Sequence, residues 1–250
     1  MIPYVVYSHT DYLDILKIQT EYLKNIENKI LLINKTNFNI DEIYSNYDRI
    51  IFYDDSLPYA GRLTSLSELK LDYIFFTHDI DILINCDNVV IEKLFQIAKE
   101  KKIDRIDLQY YTHGDSSDNI SVSCNEYDFY LNKQTNPSHY IYNVNPSIWK
   151  LSSFMEIMNT FKNEGYRTIE GDIVQNFCTK YDVYKLYGSD FLEIGYFHCL
   201  PFYQFLHITH GGGLLPLENN GLNKKINDEY RIICEKYLFK GNRNFKLSRW

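Results

Sequence analysis

The chain has 250 residues, of which 45 % are hydrophobic and 24 % are charged, a balance that is ordinary for a soluble globular protein with a substantial core. The formal net charge of −7 at pH 7 argues against a broad nucleic-acid-binding surface. No apolar run is long enough to span a membrane, and the start of the chain lacks the basic region and cleavage site of a signal peptide. We therefore expect a cytoplasmic protein without a transmembrane segment.

In the first half of the chain, predicted strands and helices alternate. The predicted strands are Tyr4–Tyr7, Ile30–Ile33, Ile50–Tyr53, Tyr73–Phe76 and Arg105–Tyr111. The predicted helices run from Asp11 to about Ile26, over Ala60–Leu69 and over Asp87–Lys101. This order predicts an α/β fold, in which a mainly parallel central sheet is flanked by helices on both faces.

The second half of the chain has a different order of elements. Residues Thr112–His139 are polar and contain only the short predicted strands Ile120–Cys124 and Tyr127–Leu131. They are followed by Tyr140–Val144, a helix at about Ser147–Phe161, a short helix that starts near Glu170–Asp172, a strand at Val183–Leu186 and the apolar segment Tyr196–Leu206. Since there are no repeats, no heptads and no proline-rich linker, a single two-part domain is the simplest interpretation.

The cysteines and tyrosines contribute little to a functional interpretation. The five cysteines are widely spaced, with no Cys-x-x-Cys pair, and this pattern indicates reduced thiols rather than a disulfide framework or a zinc site. The 23 tyrosines accompany a general excess of Asn, Ile and Lys, so we attribute them to compositional bias.

The most informative stretch is Tyr73–Ile84, in which an apolar predicted strand ends at Asp79 and Asp81. In an open α/β sheet, ligands bind just beyond the carboxyl ends of the strands. Two carboxylates at this position suit Mg²⁺ or Mn²⁺, whose remaining coordination positions usually go to substrate phosphates and water. The stretch therefore predicts a site for a metal and a diphosphate. The alternative is a pair of solvated loop carboxylates, since Asp-x-Asp is a short pattern.

The order of motifs resembles that of the GT-A-fold glycosyltransferases, in particular small bacterial and large-virus enzymes that build surface glycans. The resemblance covers most of the chain up to about residue 215. The residues that carry it are Val5–Tyr12, Tyr59–Leu63, Thr77–Asp81, Pro146–Lys150 and the segment at His210. It implies a GT-A-like fold, in which residues 1–111 bind the nucleotide-sugar, residues 112–215 form the smaller acceptor and catalytic part, and residues 216–250 form a C-terminal tail and helix.

The resemblance implies that His78, Asp79 and Asp81 contact the nucleotide-sugar and that Asp79 and Asp81 bind Mn²⁺ or Mg²⁺. The family often adds a late histidine as a third metal ligand. His210 fits this role, because it precedes glycines, of which Gly211 is the first, that let the backbone approach a diphosphate. His207 is the alternative ligand, or else a core or capping histidine.

A catalytic base is expected in the motif Glu170-Gly171-Asp172, which precedes a predicted helix. Inverting enzymes of the family place a carboxylate at such a helix start, where the helix dipole keeps it ionised. Either Asp172 or Glu170 can serve, with Asp172 slightly preferred. The alternative role for Asp172 is that of a helix N-cap.

The nucleotide is expected to contact the loop after the first strand and one basic residue of the next motif. The loop residues are Ser8, His9, Thr10 and Asp11, and the basic residue is Arg62. Thr10 or Asp11 can equally cap the first helix, and Arg62 can equally be an exposed helix arginine. We expect Trp149 to be buried in the core rather than to form an acceptor platform.

Together these features predict a metal-dependent glycosyltransferase that moves a sugar, with inversion, from a UDP- or dTDP-linked donor to a glycan or glycoconjugate acceptor in polysaccharide biosynthesis. A nucleotidyltransferase is the alternative enzyme, but it would need a basic glycine-rich loop near the N-terminus, and none is present. A haloacid-dehalogenase phosphatase would carry Asp-x-Asp near the N-terminus. The non-enzymatic alternative is a sugar-binding protein on a related fold.

Overall fold

The computed structural model describes residues 2–36, 40–110, 118–137, 141–187, 200–210, 213–214 and 224–238. Within these ranges, the side chains at 109–110, 209–210, 213–214, 224–227 and 237–238 are not described.

Thirteen strands are present in the described residues. They are β1 (Tyr4–Tyr7), β2 (Lys29–Asn34), β3 (Arg49–Tyr53), β4 (Tyr73–His78), β5 (Asp81–Cys86), β6 (Arg105–Tyr110), β7 (Asn119–Cys124), β8 (Tyr127–Gln134), β9 (Ser147–Lys150), β10 (Val183–Tyr187), β11 (Tyr203–His207), β12 (Thr209–His210) and β13 (Gly213–Leu214). Nine of them form one sheet in the order β3-β2-β1-β4-β9-β6-β10-β8-β7. Only β8 and β9 run against the other seven, so the sheet is mostly parallel by strand direction.

The helices flank this sheet. They are α1 (Leu13–Tyr22), α2 (Asp41–Tyr44), α3 (Tyr59–Leu63), α4 (Asn88–Lys101), α5 (Leu151–Thr160), α6 (Tyr166–Ile169), α7 (Asp172–Cys178) and α8 (Lys224–Ile233), with 3-10 turns at Thr10–Tyr12 and Thr64–Glu68 and a π-helical segment at Cys234–Leu238. The predicted α/β class, with a mainly parallel sheet between helices, is confirmed.

The core lies on both faces of the sheet. Successive side chains of a strand point to opposite faces, and along β1 Tyr4 and Val6 join one buried cluster while Val5 and Tyr7 join the other. The first cluster includes the apolar side of α4, and the second includes that of α5. All six residues of β4 are buried, which explains why its sequence reads as a continuous apolar run.

Two sequence-based assignments are wrong or incomplete. The segment at Ser147–Lys150 was predicted to start a helix, but it is strand β9, which lies between β4 and β6, and the helix starts at Leu151. Residues 141–146, just before β9, form bends. Asp81 does not lie in a loop but begins β5, which pairs with β11. Trp149 is buried, as expected.

The ends of the first helix and of the strand assignments shift by a few residues. The predicted helix from Asp11 to about Ile26 is α1 preceded by a 3-10 turn, and that over Ala60–Leu69 is α3 followed by another.

Cys86, Cys124, Cys178 and Cys234 are free thiols, and Cys199 lies outside the described residues. Among the helices that the structure describes, none combines the length and apolar character that crossing a bilayer requires.

Candidate functional site

The strand order reverses between β1 and β4, because β2 and β3 lie on one side of β1 while β4 and the later strands lie on the other. Ligands of open α/β sheets bind at such a reversal, beyond the carboxyl ends of the strands. A cleft of about 490 Å³ opens at this position. It is lined by Tyr7, His9, Asp11, Tyr12, Tyr59, Arg62, His78, Asp79, Ile80, Tyr166, Arg167 and His207.

The acidic motif lies at this end of β4, and both of its carboxylates are buried. Asp79 follows the strand directly, its backbone N–H donates to Tyr7 O at 3.0 Å, and the Ser8 hydroxyl donates to its Oδ2 at 2.5 Å. Asp81 is two residues further on, and its Oδ1 lies 2.7 Å from Nδ1 of His207, the residue opposite it in β11. Asp79 and Asp81 are 5 % and 4 % exposed. Each carboxylate is therefore held in orientation by a side chain from another strand end.

The donor set fits Mg²⁺ or Mn²⁺ as these ions bind together with substrate phosphates. Within the described ranges, no group of three or more His, Cys, Asp or Glu side chains forms a complete metal cluster. A phosphate-bound Mg²⁺ needs only one or two protein carboxylates, and buried aspartates at a strand end provide this chemistry. His207 adds the carboxylate–histidine contact that commonly supports a metal site.

For the predicted third metal ligand, His210, the structure describes only the backbone. His210 lies in β12, whose backbone pairs with β13, but its side chain is not described, and Gly211 lies outside the described residues. His207, the alternative ligand, contacts the acidic motif through the Asp81 carboxylate.

Three of the four backbone N–H groups of the loop Ser8–Asp11, and that of Tyr12 after it, donate within the protein. The N–H groups of Ser8 and Tyr12 donate to Leu32 O and His9 O at 2.9 and 2.8 Å. The Thr10 N–H donates to Asn34 Oδ1 and the Asp11 N–H to His9 Nδ1, at 2.9 and 3.0 Å. Because the N–H groups of Ser8, Thr10 and Asp11 are used within the protein, the loop presents mainly its side chains to a ligand.

Asp55 joins two of the predicted nucleotide-binding residues, His9 and Arg62. His9 Nδ1 accepts the Asp11 N–H, so Nε2 carries the ring proton of the neutral tautomer and donates to Asp55 Oδ1 at 3.0 Å. The same carboxylate lies 3.0 Å from Nη2 of Arg62. The remaining Arg62 nitrogens donate to Leu57 O at 2.8 Å and Tyr7 Oη at 3.5 Å. Arg62 is thus a half-buried, positioned cation and not a freely solvated helix arginine.

His78 forms the back of the cleft together with two tyrosines that sequence reasoning missed. Its Nε2 lies 2.7 Å from Tyr59 Oη, and both side chains are buried. Burial lowers the pKa of His78 to about 4 and raises that of Tyr59 well above its usual value, so the imidazole is neutral and the phenol keeps its proton. The ring of Tyr166 meets that of Tyr59 edge-on, with centroids 5.3 Å apart.

Gly61 makes this arrangement possible. A Cβ at this position would lie 2.7 Å from the carbonyl oxygen of Lys162, so only glycine lets α3 approach the connection between α5 and α6 this closely. The Ala60 N–H donates to Glu164 O in the same contact, at 3.2 Å. The approach brings Tyr166 and Arg167 of α6 to the cleft. A four-residue helix carries too little periodicity to be found from sequence, but the glycine was a visible signal.

The predicted catalytic acids follow α6 in the chain, where Glu170 is the C-cap of α6, and neither lines the cleft. Glu170 is partly buried, its Oε1 accepts the Val144 N–H at 2.9 Å, and burial raises its pKa above the usual range. Asp172 is exposed and is the first residue of α7, whose N-cap is Gly171. The structure thus separates the two acids by environment: Glu170 supports the segment at 141–146, and Asp172 faces solvent.

A buried charge network supports the same segment from the sheet side. The Arg105 guanidinium is fully buried and donates to Ile141 O at 2.7 Å and to Ser147 Oγ at 2.8 Å, and it also contacts the Asn143 side chain. Its counter-ion is Asp107, whose Oδ2 lies 3.3 Å from Nη2 and accepts from Asn143 Nδ2. Since a buried charge is tolerated only when paired and hydrogen-bonded, this network fixes the course of residues 141–147.

Comparison with models of known protein families and with curated proteins gives no match. Some solved structures resemble the chain at low identity. HddC from Yersinia pseudotuberculosis is 11 % identical over 95 % of this chain and 100 % of its own, with a TM-score of 0.49. An apo UDP-glucose pyrophosphorylase is 10 % identical over 94 % and 99 %, with a TM-score of 0.48. A cytidylyltransferase from Leptospira borgpetersenii serovar Hardjo-bovis is 11 % identical over 75 % and 76 %, with a TM-score of 0.46.

Likeness at this level carries no conclusion about activity. The α/β class of the chain follows from its own strand order, and the functional interpretation has to come from the residues of the cleft.

Proposed function

We propose that the chain is a metal-dependent glycosyltransferase that moves a sugar from a nucleotide-sugar to a hydroxyl of a glycan or glycoconjugate acceptor with inversion. UDP- and dTDP-linked sugars are the first donors to test. The observation that carries the proposal is the pair of buried, oriented carboxylates, Asp79 and Asp81, at the carboxyl end of β4 where the strand order reverses. Two desolvated carboxylates without a cation are costly, and a metal bound to a diphosphate compensates them.

The residues divide the work along the cleft. Asp79 and Asp81 hold the cation, which when bound supplies the positive charge that stabilises the leaving nucleoside diphosphate. His210 remains the proposed third ligand, while His207 orients the Asp81 carboxylate through its Nδ1 contact. The loop Ser8–Asp11 and Arg62 receive the nucleoside. Asp172 or Glu170 accepts the proton of the attacking hydroxyl.

The division of the chain follows from these roles. In this proposal residues 1–111 carry the nucleotide side, residues 112–215 the acceptor side and residues 216–250 a C-terminal tail and helix. Helix α8 packs near strand β5, which begins with Asp81, because Tyr230 and Ile233 share a buried cluster with Ile82 of that strand.

The engaged amides of the loop Ser8–Asp11 argue against the nucleotidyltransferase alternative. A triphosphate cradle uses free backbone N–H groups that point at the phosphates. Here the N–H groups of Ser8, Thr10, Asp11 and Tyr12 all donate within the protein. A kinetic test separates the proposed enzyme from the remaining alternative, a non-catalytic sugar-binding protein.

The test measures release of nucleoside diphosphate from a panel of UDP- and dTDP-sugars with Mn²⁺ and without acceptor. We expect slow release by the wild-type protein, loss of release with EDTA, and a decrease of at least about a hundredfold in Asp81→Asn, because charge stabilisation of the leaving group is weakened. Asp41→Asn is the matched control, since Asp41 is an exposed aspartate that does not line the cleft.

The outcomes separate the three classes. Near-wild-type release in Asp81→Asn contradicts the proposal. Binding of a nucleotide-sugar without release in any condition indicates the non-catalytic alternative. Formation of a nucleotide-sugar and pyrophosphate from a nucleoside triphosphate and a sugar phosphate indicates the nucleotidyltransferase.

A further inference from the structure

Arg167 is a cation of the cleft whose guanidinium is not used within the described part of the chain. It lines the cleft from α6, is exposed, and makes no hydrogen bond, ion pair or ring contact with the residues described. Arg62, the other arginine of the cleft, has its donors committed to Asp55, Leu57 and Tyr7. The two arginines therefore differ in what they leave available to a ligand.

The backbone that carries Arg167 is held beside the acidic motif. Its neighbour Tyr166 contacts His78, the residue before Asp79, with ring centroids 6.2 Å apart, and it packs edge-on against Tyr59. The start of α6 is tied to α3 through the close approach at Gly61. Arg167 is thus presented from a positioned element at the wall of the cleft that adjoins the end of β4.

The charges of the cleft leave a need for one further cation. The carboxylates of Asp79 and Asp81 offset the charge of one divalent cation, and Arg62 is paired with Asp55. The negative charge of a nucleotide-sugar diphosphate then remains uncompensated, and it increases when the bond between the anomeric carbon and the phosphate oxygen breaks and the electron pair stays on that oxygen. The acceptor oxygen forms the new bond to carbon, and its proton passes to the base.

We propose that Arg167 binds the non-bridging oxygens of this diphosphate and stabilises the charge that develops on it as it leaves. The planar guanidinium can donate two parallel hydrogen bonds to phosphate oxygens, which a lysine cannot do. Arg167 is then a catalytic residue of the wall that sequence reasoning did not find. The inference rests on the proposed glycosyl transfer, but its chemical content is a binding site for a diphosphate.

The test is equilibrium titration of UDP, dTDP, uridine and inorganic pyrophosphate, each with Mn²⁺ and without acceptor. The proteins are wild type, Arg167→Gln, Arg167→Lys and the control Arg49→Gln. Arg49 is an exposed arginine paired with Glu68 at the start of β3, away from the cleft. We expect Arg167→Gln to weaken binding of UDP or dTDP by about tenfold, Arg167→Lys to give an intermediate loss, and uridine binding to stay unchanged.

Each outcome decides between the inference and the proposed function. Unchanged diphosphate binding in a folded Arg167→Gln protein overturns the inference and leaves glycosyl transfer standing. Pyrophosphate binding that depends on Arg167, with no binding of either nucleotide, supports the anion site and contradicts transfer from a UDP- or dTDP-linked donor. A protein that binds none of the phosphates contradicts both. Because no acceptor is present, a loss in Arg167→Gln cannot come from an anionic acceptor.

Discussion

The two walls of the cleft differ in how much of their polar chemistry is already satisfied. On one wall, the loop Ser8–Asp11 and Arg62 are linked to Asn34 and Asp55 by hydrogen bonds and ion pairs. On the other wall, α6 exposes 42 % of Tyr166 and presents an Arg167 with no partner among the described residues. The first wall is therefore preorganised, whereas the second wall has hydrogen-bond donors that remain available to a ligand.

This difference indicates how a ligand would be bound. A preorganised wall adds affinity because its side chains lose little conformational freedom on binding. A wall with unused donors and an exposed ring gains its contacts only when substrate arrives, and such contacts can favour the transition state over the ground state. We therefore expect substitutions in the acidic motif that follows α6 to affect turnover more than nucleotide binding, whereas loss of Arg167 lowers both.

The catalytic base gives the strongest test of this contrast. We expect Asp172→Asn to lower transfer by about 10²- to 10⁴-fold, the usual contribution of a general base, while nucleotide-sugar binding stays almost intact. Glu170→Gln is the matched variant, and we expect it to keep most of the transfer, because the Glu170 carboxylate is already engaged with the Val144 N–H. The measurements are kcat and donor Kd for both variants.

If Glu170→Gln abolishes transfer and Asp172→Asn does not, the roles of the two acids are reversed. If neither substitution lowers kcat, or if the product keeps the anomeric configuration of the donor, the motif supplies no base and serves only the start of α7.

The sequence predicted more of the residues of the preorganised wall than of the wall formed by α6. Strands β1 and β4 and the residues that follow them were predictable, because a buried parallel strand is a continuous apolar run and its ligand residues follow directly at its end. The acidic motif was predicted in this way, whereas the roles of Ser8–Asp11 and Arg62 came only from the resemblance and remain predictions. The partners Asn34 and Asp55 were not predicted, and His207 was predicted as a ligand or a core histidine, not as the partner of Asp81.

The errors come from features that only tertiary contacts decide. Ser147–Lys150 contains only two apolar residues and runs directly into a helix without a turn signal, so nothing local marks it as a strand inserted between β4 and β6. The role of Tyr166 and Arg167 depends on the approach of α6 to α3, which involves residues about a hundred positions apart. Short elements with long-range partners carry little local signal.

Gly61→Ala tests whether that approach assembles the two walls. The added Cβ would lie 2.7 Å from a backbone oxygen that cannot move without displacing the start of α6. We expect a loss of about 2 kcal/mol in the free energy of unfolding, since the overpacking cost is only partly offset by the better helix propensity of alanine. Chemical denaturation measures this change.

Gly165→Ala is the control for Gly61→Ala, because a Cβ at Gly165 meets nothing within 4 Å. It should cost less than about 1 kcal/mol, the range for a changed N-cap. Equal stability of Gly61→Ala and wild type would show that the connection between α5 and α6 adapts easily, and the contrast between the walls would then not depend on this contact.

His78 gives the smallest effect, and it lies where the two walls meet. Its ring contacts Tyr7 and Tyr59 on one side and Tyr166 on the other, at centroid distances of 5.2, 5.7 and 6.2 Å. Burial lowers its pKa from 6.5 to about 4, a direction to which His207 contributes and which Asp81 opposes. The unfolded chain therefore binds a proton at this residue in a pH range where the folded protein does not.

The sign of the pH dependence follows from that difference. Stability due to neutral His78 is fully present above pH 6.5 and is lost as the pH falls towards about 4. For the metal-free protein we expect a loss of about 1 kcal/mol in the free energy of unfolding between pH 7 and about pH 5.5 that is specific to this residue. Denaturation of wild type and His78→Gln at both pH values isolates it, because glutamine can still bond to Tyr59 but does not titrate. If both proteins lose the same stability over this range, His78 is accessible to protons in the folded state, and the junction of the two walls is open to water rather than closed.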